Sequence, residues 1–298
     1  MLRSPPDNAG PPRNGVEMAR KVVFYAYGGP DVLHVVEEEP PRPGVGEIRV
    51  RVRAAGVNPV DCRLRRGAFA APGDTFPQTL GNEFAGVVDE VGPEVVDRAV
   101  GDEVMGFTVA RAYADYVVVP ADQVTPKPAE LSWAVAGALS AVGQTAYHAL
   151  RALRVARGET LLVHAAAGGV GTVAVQLARD LGARVIGTAS VANHGYLRQL
   201  GAIPVAYGEG LVDRVRAVAP QGVDAALDAV GGAAVAASLA LVSDPRRIGT
   251  LVDDAAVTTY GIRRLRGARS AETLAELAAL CAAGRLRLPV TRRFPLTA

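Results

Sequence analysis

The sequence predicts an α/β protein made of a doubly wound parallel sheet and a second, irregular β-rich domain. Three observations carry this. After Gly158, apolar strand-like runs alternate with stretches of helical spacing as far as residue 252, the pattern of parallel strands joined by crossover helices. Before Pro126, short β-like runs are broken by glycine and proline, as in an antiparallel domain with kinked strands. Third, residues 161–178 read Leu-Leu-Val-His-Ala-Ala-Ala-Gly-Gly-Val-Gly-Thr-Val-Ala-Val-Gln-Leu-Ala: a continuous apolar strand, a glycine turn and the start of a helix.

Whole-chain properties narrow the function. A chain of 298 residues is long enough for two ordinary domains. A net charge of +2 gives no electrostatic case for nucleic acid. No run reaches the roughly 18 apolar residues of a membrane span, so the cytoplasm is the expected location and a small molecule the expected partner. Cys62 and Cys281 offer neither a disulfide framework nor a Cys-x-x-Cys pair, and the histidines at 34, 148, 164 and 194 lack zinc-ligand spacing. Residues 1–18, with Pro5, Pro6, Pro11 and Pro12, read as a flexible leader.

In chain order, residues 21–26 and 33–38 are expected strands separated by the Gly28-Gly29-Pro30 turn. Residues 47–55 alternate Ile48, Val50 and Val52 against Arg49, Arg51 and Arg53, a half-buried strand. Residues 60–67 predict a short helix with Pro59 at its start. Residues 81–92, 100–106 and 116–120 are β-like, and residues 134–138 and 145–153 helical. The alternating half has expected strands at 160–164, 184–188, 203–207, 225–230 and 248–252, with helices at 170–181, 193–200, 211–218 and 232–242. Residues 271–283 form a last helix ended by Gly284. Residues 261–267 are an expected edge strand, and 286–290 a β-like run.

The glycine turn aims free N–H groups and a positive helix end at an anion. Ala166, Gly169 and Gly171 are a variant of the G-x-G-x-x-G fingerprint, and a turn made only for packing remains open. A site for NAD has an acid about 20 residues beyond the glycines. Here the second alternating strand ends Gly187-Thr188-Ala189-Ser190. Ser190, with His194 four residues on, points to the 2′-phosphate of NADP, and Ser190 can cap a helix as well. Asp228-Ala229-Val230-Gly231-Gly232 closes the fourth strand, where Val230 and the glycines leave room for a flat ring or make a tight turn. Leu251, near the end of the fifth strand, joins the cofactor-binding candidates.

The stretches 55–61, 81–88, 100–104, 165–171, 200–202 and 228–232 resemble, in order, the zinc-free quinone oxidoreductase group of the medium-chain dehydrogenase/reductase superfamily. The resemblance runs from about residue 20 to the end. It implies a GroES-like catalytic domain over 19–124 and 268–298, the latter part incomplete, and a Rossmann NADP-binding domain over 125–267. Zinc alcohol dehydrogenases resemble the chain too, but have Gly-His-Glu where it has Gly81-Asn82-Glu83, and a zinc cysteine where it has Val60. Neither Asn82 nor Val60 replaces an imidazole or a thiolate.

The resemblance therefore implies NADPH-dependent hydride transfer, without zinc, to a quinone or an α,β-unsaturated carbonyl, including conjugate reduction that closes a ring. A zinc-free ketone or alcohol reductase and a non-catalytic NADPH-binding protein are the alternatives. It assigns Asn58 to orient substrate or the nicotinamide ribose, against a plain turn asparagine. Asp61 is a catalytic-site candidate read more readily as a cap or hinge. Thr145 would touch the nicotinamide ribose. Ala166, Gly168, Gly169, Val170 and Gly171 would cradle phosphate. Tyr207 would bind phosphate, with His194 in place of a lysine. Arg63 stands where relatives have a tyrosine. A homodimer through the edge of the nucleotide domain is also implied.

Overall fold

The computed structural model describes residues 18–297. The leader expected over residues 1–18 lies, apart from Met18, outside the described residues. The first half folds as β1 (Ala19–Phe24), β2 (Leu33–Glu38), β3 (Glu47–Ala55), α1 (Pro59–Arg65), β4 (Gln78–Thr79), β5 (Glu83–Val91), β6 (Glu103–Phe107), β7 (Tyr116–Pro120) and β8 (Val124–Pro126). These strands make two antiparallel sheets, ordered β2-β1-β4 and β7-β3-β5-β6-β8. In β3 the alternation acts as expected. Ile48 and Val50 are fully buried against Phe84, Val88 and Val117, while Arg49 turns out to Asp89 and Glu90.

The second half contains α2 (Trp133–Ala136), α3 (Leu139–Ala152), β9 (Thr160–Val163), α4 (Gly169–Asp180), β10 (Arg184–Ala189), α5 (His194–Gln199) and β11 (Ile203–Ala206). It continues with α6 (Leu211–Val218), β12 (Ala225–Asp228), α7 (Ala233–Leu241), β13 (Ile248–Thr250), α8 (Asp254–Tyr260), β14 (Arg263–Arg264) and α9 (Ala271–Ala282). Its six strands are all parallel, in the order β11-β10-β9-β12-β13-β14. Counted from β9 this is 3-2-1-4-5-6, the doubly wound dinucleotide-binding order, with its switch point between β9 and β12. The unbroken apolar run of β9 has its reason here. Leu161 and Val163 pack under α3, α4 and α9, while Leu162 packs on the opposite face with Val215, Val235 and Ile248.

Several expectations shift. The two helical stretches at 134–138 and 145–153 are α2 and the longer α3. The expected edge strand at 261–267 shrinks to β14, which does lie at the sheet edge. Helix α8 is not announced by the sequence pattern; it is short and opened by Asp253, whose side chain accepts from the Ala256 N–H. The β-like run at 286–290 is not a strand. Its Leu286 is buried, and the Arg287 backbone is held by the Gln176 amide instead of a neighbouring strand: Gln176 Nε2 donates to the Arg287 carbonyl (2.9 Å) and Arg287 N donates to Gln176 Oε1 (2.8 Å). Beyond it, Phe294–Thr297 return to the β-rich half and share a cavity with His34, Val35 and Arg53.

Candidate active site

Ligands in such sheets lie beyond the carboxyl ends of the strands at the switch point. A cavity of about 910 Å³ sits there, lined among others by His164, Gly168, Ser190, Asn193, Tyr207 and Val230. Its mouth is built by local geometry. At the end of β9, Ala165 takes a left-handed conformation (φ 52°) and Ala166 N donates to the Thr188 carbonyl (3.0 Å), so the turn is laid against β10. Gly171 is needed because a Cβ there would stand 2.4 Å from the Ala165 carbonyl oxygen. The first N–H groups of α4 have no intrahelical partner and form the positive end of the helix.

The other rim is shaped by Asp228. Its buried carboxylate accepts from Val230 N (2.8 Å), Gly231 N (2.9 Å) and the Thr250 hydroxyl (2.6 Å), which folds the 228–232 turn and leaves Val230 59% exposed toward the cavity. Leu251 is half-buried, its N–H bonded to the Asp228 carbonyl. Ser190 caps the short 3₁₀ turn Val191–Asn193 by backbone shape, but its hydroxyl makes no cap bond and accepts only the Asn193 amide (3.2 Å). Tyr207 is exposed at the rim, and Glu209 also lines the cavity. His194 opens α5 half-buried, with Nε2 enclosed and without a hydrogen-bond partner; its neighbour Asn193 is the one on the cavity wall.

A second polar group lies between the two halves. Asn58 and Asp61 are both buried at the start of α1, and Asp61 is an acceptor for four donors. These are Asn58 N (2.9 Å), Gly81 N (3.2 Å), Asn82 Nδ2 (2.7 Å) and the Tyr113 hydroxyl (3.1 Å). Gly81 (φ 94°) is required, since a Cβ would lie 2.6 Å from the Tyr113 ring. Asn58 Nδ2 donates to Glu83 Oε1 (2.7 Å), and Ala141 N in the first turn of α3 donates to Glu83 Oε2 (2.7 Å). Arg269 bonds the carbonyls of Asn82 and Thr108 and stacks on Phe107.

Burial pushes the Glu83 carboxyl up to about 7, against the bonds from Asn58 and Ala141 that favour the ionised form. Burial, with Asp61 beside it, raises the Tyr113 phenol, and burial lowers the Arg269 guanidinium. His164, under the cavity, bonds Ser238 through Nε2 (3.0 Å); burial lowers it to about 4, opposed by Asp228.

The structure thus places Gly168, Ser190, Tyr207 and Val230 around one cavity, and Asn58 with Asp61 in a separate buried network. Helix α3 connects them. Its Ala141 N–H meets Glu83, its Val142 lies against Gly169, where a Cβ would come within 2.8 Å, and Thr145 follows one turn on, half-buried. The sequence reading gave no role to Glu83, Tyr113, Arg269 or His164. For Glu83 a signal existed, a lone carboxylate opening the apolar stretch Glu83-Phe84-Ala85-Gly86. For Tyr113 and Arg269 none did. Arg63, in the place of the relatives' tyrosine, stacks on Phe69, and Tyr113 brings a phenol to Asp61 from a distant loop.

Among the described residues no three His, Cys, Asp or Glu side chains are grouped to hold a metal ion, and no helix is long and apolar enough to cross a membrane. Two family models match, the alcohol dehydrogenase GroES-like domain over residues 44–129 and the zinc-binding dehydrogenase over residues 169–252. A quinone oxidoreductase of Pseudomonas aeruginosa is 43% identical over 175 residues, 58% of this chain and 53% of the relative. With this relative and the Escherichia coli quinone oxidoreductase 1, the chain aligns over about half of their length (53% and 54%). Among solved structures, the quinone oxidoreductase from Coxiella burnetii is 32% identical with a TM-score of 0.85, over 94% of this chain and 93% of that one. The Escherichia coli quinone oxidoreductase complexed with NADPH is 30% identical with a TM-score of 0.80, over 91% and 90%.

Proposed function

This chain belongs to the quinone oxidoreductase group of the medium-chain dehydrogenase/reductase superfamily, and on that premise we propose that it is an NADPH-dependent, zinc-independent reductase of quinones or α,β-unsaturated carbonyls. The observation that carries the reading is the cavity of about 910 Å³ at the switch point, where the second strand ends in a hydroxyl, Ser190, which accepts from Asn193 and keeps its own proton to donate, and not in a carboxylate. The cavity fits the cofactor, because Gly171 clears the approach to the α4 N-terminus and Val230 offers an apolar surface to a ring. When bound, NADPH supplies the hydride.

The chain's own groups have separate tasks in this reading. Backbone N–H groups of Gly169, Val170 and Gly171 hold the pyrophosphate, while Ala166 and Gly168, whose own N–H groups bond Thr188 and Ala165, shape the turn. Ser190, Asn193 and Tyr207 hold the 2′-phosphate, Val230 and Leu251 flank the cofactor, and Thr145 and Asn58 orient the nicotinamide ribose. His194 must turn its imidazole outward to reach phosphate. His194→Ala is then expected to weaken NADPH binding in calorimetry; an unchanged dissociation constant removes His194 from the site. Asp61 is a positioning residue, since four donors already fill its acceptor sites.

Asn82 supports the zinc-free part of the proposal. Its side-chain amide nitrogen is committed to Asp61, Arg269 holds its backbone carbonyl in place, and the Val60 side chain has only carbon to present. Without a Lewis acid the substrate must accept hydride unaided, as a quinone or enone does. The substrate's developing oxyanion then needs hydrogen-bond donors at the cleft. The test is turnover: loss of NADPH absorbance with a panel of quinones and enones, at a kcat/KM well above that with NADH. Tight NADPH binding without oxidation across the panel would instead support a non-catalytic binding protein.

A further inference from the structure

Asn58 is an amide with two chemically opposite ends, and only one of them can face Glu83 at a time. Its Nδ2 is bonded to Glu83 Oε1, so its Oδ1 is turned away from Glu83. Glu83 has no freedom of its own. It is 1% exposed, its second oxygen is fixed on the Ala141 N–H, and the Gly56 backbone lies so near that a Cβ there would stand 2.1 Å from Oε1. We propose that Glu83 is a positioning residue whose carboxyl group, clamped between Asn58 and the first turn of α3, sets by its protonation whether Asn58 turns an acceptor or a donor away from Glu83, toward the nicotinamide ribose that the proposed function assigns to it.

An ionised carboxylate only accepts, so Asn58 must give it Nδ2. A proton on Oε2 would leave an O–H with no acceptor, since the one group bonded there is the Ala141 N–H donor. On Oε1 the O–H meets Asn58, which can accept it, so Oε1 is the favoured site. Asn58 then has to offer Oδ1, so its amide turns over and Nδ2 becomes the end directed away from Glu83. One proton therefore exchanges an acceptor for a donor at the same place. The charged and titratable groups facing Glu83 are Asp61 from α1, Tyr113 from the loop before β7 and Arg269 from the segment before α9, together with the positive end of α3. The strand neighbours beside Glu83 and Phe84, Phe107 on β6 and Ala55 on β3, carry no charge. Asp61 and burial favour the proton, while Arg269, Asn58 and the helix end oppose it. The balance leaves both forms accessible near neutral pH.

The effect on turnover rests on the proposed reductase reading; the amide switch itself does not. The test therefore has two arms. In the first, the Asn58 side-chain amide resonance of the wild-type protein, assigned through its own backbone, is followed from about pH 5.5 to 8.5. It is expected to move with a single midpoint near 7. In Glu83→Gln the side-chain oxygen takes the Ala141 N–H and its NH₂ faces Asn58, so the amide is held in the turned-over state and its resonance is flat with pH. A wild-type resonance that does not titrate overturns the proposal, and that measurement needs no variant to fold. In the second arm, NADPH-dependent enone reduction is expected to fall about tenfold or more as pH rises through the same midpoint, as the donor to the oxyanion is withdrawn, and to lose this inflection in Glu83→Gln. An unchanged inflection in Glu83→Gln also overturns the proposal. A titrating amide in a protein that reduces nothing leaves the switch standing and removes only the reductase reading.

Discussion

Ser190 and Asp61 show how differently single residues reveal themselves. Ser190 is legible in the sequence because its meaning depends on position alone, the end of the strand after the glycine turn, and the structure sets its hydroxyl at the cavity wall with only the Asn193 amide bonded to it. Placing a carboxylate there should repel the 2′-phosphate. Ser190→Asp is expected to lower kcat/KM for NADPH about tenfold or more while that for NADH falls far less, read from initial rates with both cofactors. Asp61 is the opposite case. Its partners Gly81, Asn82 and Tyr113 lie 20, 21 and 52 residues away in sequence, and no local pattern announces that a carboxylate near a helix start will be filled from there. Asp61→Ala leaves those buried donors unpaired and is expected to destabilise the protein by about 3 kcal/mol in urea unfolding. Glu83 carried a local signal, a carboxylate opening an apolar run, but its two partners, Asn58 before α1 and Ala141 in α3, lie too far away in sequence to be read with it.

Strands and helices were legible where their period was set by burial on one face or two, as in β3 and β9. They were not legible where side chains replaced the ladder. The run at 286–290 has strand composition, yet the Gln176 amide takes both polar groups of Arg287 and leaves nothing for a neighbouring strand. Gln176→Ala is expected to lose about 1–3 kcal/mol and to speed amide hydrogen exchange at residue 287 in particular. The glycine turn is the element on which binding depends. Gly171→Ala pushes a methyl group toward the Ala165 carbonyl and the Ala166 backbone, atoms that cannot rotate aside. It is expected to destabilise by about 1–3 kcal/mol and to weaken NADPH binding, measured by calorimetry.

At the scale of the whole molecule, two buried groups give stability a pH dependence of opposite sign. Glu83 is held near 7, above its ordinary 4.5. The native state keeps a proton that the unfolded chain has lost, so this group lowers stability as pH rises from about 4.5 to 7, by on the order of 3 kcal/mol in full. His164 is held near 4, below its ordinary 6.5. Its neutral form supports folding above that value, and its contribution is lost as pH falls from about 6.5 to 4. Glu83→Gln should therefore gain in Tm relative to wild type between pH 5 and 8, by scanning calorimetry; a constant difference would show that Glu83 is not raised above its ordinary value in the native state. The doubly wound order and the β-rich partner were legible from alternation and glycine punctuation. The connection between them through α3 was not, because it is made by contacts of Glu83 and Gly169 with one helical turn.

A protein that reduces acceptors without a metal must do so in the presence of chelator. The most direct measurement incubates chelator-treated protein with NADPH and either an enone or the saturated ketone of the same skeleton, and identifies the products. The enone is expected to be reduced at its carbon–carbon double bond, at a rate the chelator does not change, and the saturated ketone to be left intact. Formation of alcohol from the saturated ketone, or activity that vanishes with chelator and returns with zinc, would contradict the zinc-independent reading.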